Sequence, residues 1–314
     1  MRDFFPQTGK FVWNACVAVA GLAMCSVLPA NAQISVYINA PGDNTGTYYS
    51  ALTHTTLRTE TFDSLYHGTS KVIDTKTVYT NVGDFMLDSS SKLAIINNRF
   101  SADKAFAASQ ALGNYAAMGA ESSSSVPVVL NLPVGQKYFG LSWNAGDANN
   151  QLWFLDQNGN VVGYYNTATV KTLLTGTGSV TAISGATYSK SSYYGQPGTS
   201  PKLDSSEPFA FLNFVAPSGV TFSQVIFGNS GSTGSGFEFD NATIVAEQLS
   251  PDDHFVGAGT TTTSGPGYTP PPSSPWFAPV LVAGDTPEPG SVALFAAGAS
   301  VFAGMKLRRR QKKA

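Results

Sequence analysis

Glu238 and Asp240 stand two residues apart in a run that alternates aromatic and acidic side chains, Phe237-Glu238-Phe239-Asp240. In a strand, residues two apart share a face. Both carboxylates therefore project away from Phe237 and Phe239, the aromatics toward a core and the acids outward or into a groove at a sheet edge. Glu60-Thr61-Phe62-Asp63 is a second acidic run and reads as a first strand, which in a sandwich often neighbours the last. Carboxylate and carbonyl oxygens are the ligands calcium prefers, so Glu60, Asp63, Glu238 and Asp240 form the candidate set for a structural calcium ion. A solvated acidic face is the simpler alternative. Paired carboxylates also serve glycoside hydrolysis, and Glu238 with Glu60 or Asp63 is the pair that reading requires.

Asp147, with Asn149 and Asn150 after Gly146, has turn-forming composition; an ion-binding or glycan-contacting loop is the alternative. Aromatic faces stack on sugar C–H bonds while polar neighbours hold the hydroxyls. Tyr164-Tyr165 and Tyr193-Tyr194 qualify by type, and the second pair lies in a Gly/Ser/Pro-rich stretch where exposure is expected. Tyr193, Tyr194 and Asp147 are thus the candidate glycan contacts, against the alternative that strand aromatics form cross-strand pairs or core. No catalytic residue is assigned. The chain has no His-Glu-x-x-His, Gly-x-Ser-x-Gly or P-loop pattern, and His54, His67 and His254 are scattered.

The elements that must position these residues repeat with period two rather than 3.6. Tyr138–Trp143 alternates, with Phe139, Leu141 and Trp143 on one face. Gln151–Asp156 and Val161–Asn166 flank Asn158-Gly159, a pair that tolerates the positive φ of a tight hairpin turn. Val126–Leu132, Phe209–Ala216, Thr221–Gly228 and Phe237–Ala246 are further aromatic and β-branched runs. Ala102–Leu112 is the one helix candidate. This pattern predicts an all-β sandwich over residues 33–250, jelly-roll or galactose-binding-like, with the jelly roll preferred. Residues 251–286 carry Thr260–Thr263, Pro266, Pro270–Pro272 and Pro275, and read as an extended linker.

Both ends read as addresses. Arg2 and Lys10 precede an apolar stretch to Leu28 and a small-x-small site at Ala30-Asn31-Ala32, which predicts a signal peptide over residues 1–32. Leu22-Ala23-Met24-Cys25 is a poor lipoprotein site because Met24 is large. At the other end, Pro287-Glu288-Pro289 is followed by an apolar run from Gly290 to Met305 and six basic residues, among them Arg308, Arg309 and Arg310. Sixteen helical residues span about 24 Å, slightly short of a hydrocarbon core of about 30 Å. Lys306 can extend the span by snorkelling, and the basic stop stays cytoplasmic. The prolines keep the segment before the helix extended, which suits a protease.

Cys16 and Cys25 lie within the expected signal peptide, so the processed chain has no disulfide and no thiol chemistry. Residues 33–287 hold ten Lys/Arg against eighteen Asp/Glu, a net of −8. That balance argues against nucleic acid and anionic surfaces and is compatible with divalent cations.

Pro-Glu-Pro, a short apolar helix and an Arg-rich end, in that order, resemble the PEP-CTERM sorting signal of Gram-negative bacteria. The resemblance covers residues 287–314 and implies processing by exosortase, a membrane protease, near Pro287–Pro289. A plain membrane anchor is the alternative. Tyr138–Asn150, Pro208–Phe214 and Gly236–Asn241 resemble one family of exosortase-dependent surface proteins, similar in outline to carbohydrate-binding sandwich modules. The implied protein is exported, held transiently at the inner membrane, then released to the cell surface or beyond. Its implied partners are signal peptidase, exosortase and an exopolysaccharide or biofilm matrix, and its role is structural or adhesive. A secreted polysaccharide hydrolase and a self-assembling coat protein are the competing expectations.

Overall fold

The computed structural model describes residues 34–46, 56–97, 113–195, 205–230, 234–247 and 259–263. The expected signal peptide, the helix candidate Ala102–Leu112 and the whole of residues 287–314 lie outside them.

Short strands separated by polar turns make up nearly all of the described chain. β1 spans Ser35–Ile38, β2 Leu57–Glu60, β3 Ser70–Ile73, β4 Thr77–Thr80, β5 Gly83–Met86 and β6 Leu93–Asn97. β7 (Asn114–Gly119), β8 (Val128–Gln136), β9 (Tyr138–Asn144), β10 (Asn150–Leu155) and β11 (Val161–Asn166) lead into helix α1 (Thr167–Leu174). β12 (Ser179–Thr181), β13 (Thr187–Ser189), β14 (Ala210–Val215), β15 (Phe222–Asn229), β16 (Gly236–Val245) and β17 (Thr262–Thr263) follow.

One sheet runs β17-β1-β14-β9-β16-β7-β6-β3, with β2 also on β16. The other runs β11-β10-β15-β8-β5-β4, and β12 and β13 form a separate ribbon. All described pairings are antiparallel, as an all-β sandwich requires. The sheets face each other through aromatic rings: Phe227 of β15 stacks on Phe239 of β16 at 4.3 Å, and Phe154 of β10 packs on Phe214 of β14 at 4.9 Å. The expected β10–β11 hairpin forms at Gly159, with φ of 80°, and Asp156 accepts from the backbone N–H of Asn158 and Asn160.

β16 is the organising strand. One edge pairs with β9 throughout; the other is shared, β7 taking Gly236–Phe239 and β2 taking Ala242–Val245. A bulge between Asp240 and Thr243, with Asn241 at φ 49°, inserts one residue. Inward positions accordingly change from odd (Phe237, Phe239) to even (Ala242, Ile244).

Three expectations change. Only Glu60 of the run Glu60–Asp63 is in a strand: Phe62 takes φ 59° and turns the chain, and β1 precedes β2. Ala102–Leu112 is not the one helix to consider: Thr167–Leu174, unassigned from the sequence, is a helix because Asn166 caps it at Thr169 N–H (2.8 Å) and Val170, Leu173 and Leu174 are buried. Within the expected linker, β17 pairs with β1 and Thr260 N–H donates to Thr181 (2.8 Å), so that stretch extends the sheet.

Candidate functional site

Three segments meet where β16 begins. β7 ends in a turn over residues 119–124, closed by the reciprocal bonds of Gly119 and Ser124 (2.8 and 3.2 Å). Gly119 takes φ 85°, and a Cβ there would overlap the Ser235 carbonyl and the Asn229 amide. β9 and β10 are joined by a turn in which Asn150 N–H donates to the Asp147 carbonyl (3.2 Å). That is the turn expected for Asp147 and the asparagines after it.

Polar side chains stitch these turns to β16. Asp147 Oδ2 accepts from Gly236 N–H at 3.0 Å, and its carbonyl accepts from the Thr167 hydroxyl. Asn150, with its amide oriented to satisfy both neighbours, donates to the Gly236 carbonyl (2.8 Å) and accepts from Asp147 N–H (3.2 Å). Asn229 Nδ2 donates to the Ser235 carbonyl (2.7 Å), and Asn149 Nδ2 to the Ser235 hydroxyl (3.2 Å).

Inside this frame lie two carboxyl groups. Glu238, from the outward face of β16, is only 5% exposed, and Glu121 reaches it from the turn after β7. A Cβ on Gly236 would overlap a carboxylate oxygen of each, so glycine leaves the space they occupy. Glu238 Oε2 and Glu121 Oε2 are both buried with no hydrogen-bond donor. The two groups are within hydrogen-bonding reach of each other, yet two ionised carboxylates are acceptors only. Burial, then the Glu121 carboxylate, pushes the Glu238 carboxyl well above its ordinary value, and Asp147 adds a smaller push in the same direction. The arrangement can hold a shared proton or a cation.

The four carboxylates expected to hold calcium are not gathered. Among the described residues no three Asp, Glu, His or Cys side chains form a group able to hold a metal ion. Glu60 is buried, but it accepts from Phe62 N–H (2.7 Å) and Asn81 N–H (2.9 Å), tying the turn after β2 to the turn between β4 and β5. Asp63 accepts from Asn114 N–H (2.7 Å) and the Thr61 hydroxyl (3.2 Å). Asp240 Oδ1 accepts from Asn241 N–H (2.8 Å), bracing the bulge. Glu238 does face away from Phe237 and Phe239, as alternation requires, but it is covered rather than solvated. The acid–base pairing of Glu238 with Glu60 or Asp63 fails for the same reason: the partner of Glu238 is Glu121. Nothing in the polar run Gly119–Ser124 marks Glu121, because the pairing arises only when the β7 turn lies beside β16.

The tyrosines also differ from expectation. Tyr193 closes a 3-10 turn over Lys190–Tyr193, is 1% exposed, belongs to the main core, and donates to the Asn39 carbonyl at 2.7 Å. Burial, and next the neighbouring Tyr188, raises its phenol above the ordinary value. Tyr194 is partly buried against the same core. Tyr193 therefore offers no open ring face. Asp147 keeps partial exposure, but Oδ2 is engaged at Gly236.

Among the described residues no helix is long and apolar enough to cross a membrane, and the Gly290–Met305 run lies outside them. No curated protein and no solved structure matches the chain. Residues 285–310 match the family model of the PEP-CTERM protein-sorting motif, so the chain carries that motif, which implies exosortase targeting and sorting to the cell surface.

Proposed function

We propose that this protein is an exported, exosortase-processed component of the cell surface or extracellular matrix whose β-sandwich is structural or adhesive rather than catalytic. The observation that carries the reading is the sorting motif at residues 285–310, which follows an antiparallel sandwich in the same chain. Signal peptidase and exosortase are the processing partners, and the Gly290–Met305 run is the transient membrane anchor. The matrix partner is an exopolysaccharide. A jelly-roll or galactose-binding-like outline accords with two facing antiparallel sheets. The internal use of Glu60, Asp63 and Asp240 supports a non-catalytic role, since their oxygens brace turns and a bulge.

Two measurements test this reading. In the producing cell, Pro287→Ala/Glu288→Gln/Pro289→Ala is expected to leave the precursor uncut in the membrane fraction; normal processing would reduce the signal to a plain anchor. The full chain is expected to be retained on the cell's own exopolysaccharide without shortening it. Release of shortened sugars would establish a hydrolase, and self-association without retention would establish a coat protein.

A further inference from the structure

We propose that Glu121 and Glu238 form a binding site for one divalent cation of the calcium class, which joins the turn after β7 to the start of β16. The two buried carboxylate oxygens without donors carry this assignment. Glu238 is a polar side chain 5% exposed; its own backbone N–H is one donor to it, but the side chain that meets it is a second acid rather than a base, and its Oε2 has no donor. Leaving buried ionised oxygens uncompensated is costly. Among the described residues no basic group contributes to the field at Glu238: Glu121 and Asp147 both carry the same sign. The donor set is oxygen only, which selects a hard cation. Gly236, which presents no Cβ there, lets the two carboxylates converge.

The ligand count also limits the site. With no third Asp, Glu, His or Cys in a ligating group, the protein supplies two carboxylates and water completes the shell. Asp147 contributes charge from outside it while its Oδ2 holds Gly236 N–H. Such a site is weak, with an expected Kd on the order of 10⁻⁴–10⁻³ M, the range of extracellular calcium modules. The biological use of so weak a site rests on the cell-surface reading, but its existence does not.

The test is calcium titration of the purified full chain at neutral pH, followed by calorimetry and by thermal melting against an EDTA control. One calcium per chain is expected, with a melting temperature that rises with calcium. Glu121→Gln and Glu238→Gln are each expected to weaken binding by about tenfold or more, whereas Asp84→Asn, on the other sheet, leaves it unchanged. Glu238→Gln removes a buried charge, so in EDTA it is expected to melt no lower than the parent chain; Glu121→Gln, on a turn, is the second check should that variant fail to fold. Absence of any calcium-dependent heat or melting shift overturns the site. Binding by both Gln variants as tight as the parent chain's also overturns it, by showing an ion held elsewhere. Neither result depends on whether the sorting motif is cut.

Discussion

Phe227 and Phe239 stack across the two sheets with centroids 4.3 Å apart and planes 24° apart, both fully buried. The contact joins β15 to β16 at the middle of the core, and Phe85 and Phe237 pack around it. Phe239→Ala removes a ring that no neighbour can replace. It is expected to cost about 3–5 kcal/mol, while Phe239→Leu costs less because most of the volume stays. Urea unfolding of the parent chain and the two variants measures the difference; a Phe239→Leu midpoint equal to the parent's would show that the ring contact contributes nothing beyond volume.

Glu60 joins two turns through backbone N–H groups. Glu60→Ala orphans the N–H of Phe62 and of Asn81, and the expected loss is about 2–4 kcal/mol. Glu60→Gln retains one acceptor and loses less. A calcium ligand would behave otherwise: its substitution would be silent in EDTA and harmful only with the ion present. Melting curves of both variants in chelator decide between these roles.

Tyr193→Phe tests the burial of a residue that composition marks for the surface. The lost hydrogen bond to the Asn39 carbonyl is expected to cost about 0.5–1.5 kcal/mol of stability. Retention on exopolysaccharide is expected to be unchanged. Loss of retention at unchanged stability would return Tyr193 to the ligand surface.

The Glu238 carboxyl predicts a pH dependence in the absence of divalent cations. Its folded value is raised above the ordinary 4.5, chiefly by burial and then by Glu121, with Asp147 acting in the same direction. A carboxyl that binds its proton more tightly when folded stabilises the fold fully below the unfolded value and loses that contribution as pH rises through the folded one. In EDTA, the melting temperature of Glu238→Gln is therefore expected to gain on the parent chain as pH rises above 4.5. A constant difference across that window would show that Glu238 titrates normally.

Much of the sandwich is legible locally. Strand alternation has period two wherever one face is buried, so β9, β10, β11, β14 and β15 are recognisable from residues within each strand. The Asn158-Gly159 turn is equally local, since it depends on one positive φ. The strands β3 to β6 escape such reading because each is four or five residues long, too short for alternation to stand out. α1 escapes it because Asn166 capping and core burial, not composition, select the helix.

The sequence by itself determined the sorting address, because Pro287–Pro289, the apolar run and the basic stop form a linear signal, and it determined the all-β class through alternation. Tertiary structure alone decided which side chains meet. Glu238 and Asp240 share a face by strand geometry, yet the pairing of Glu238 with Glu121 arises because the β7 turn lies beside β16. Likewise Tyr193 is buried because its turn docks beside Asn39. Alternation tells which way a residue points relative to its neighbours; what covers it comes from segments far away in the chain.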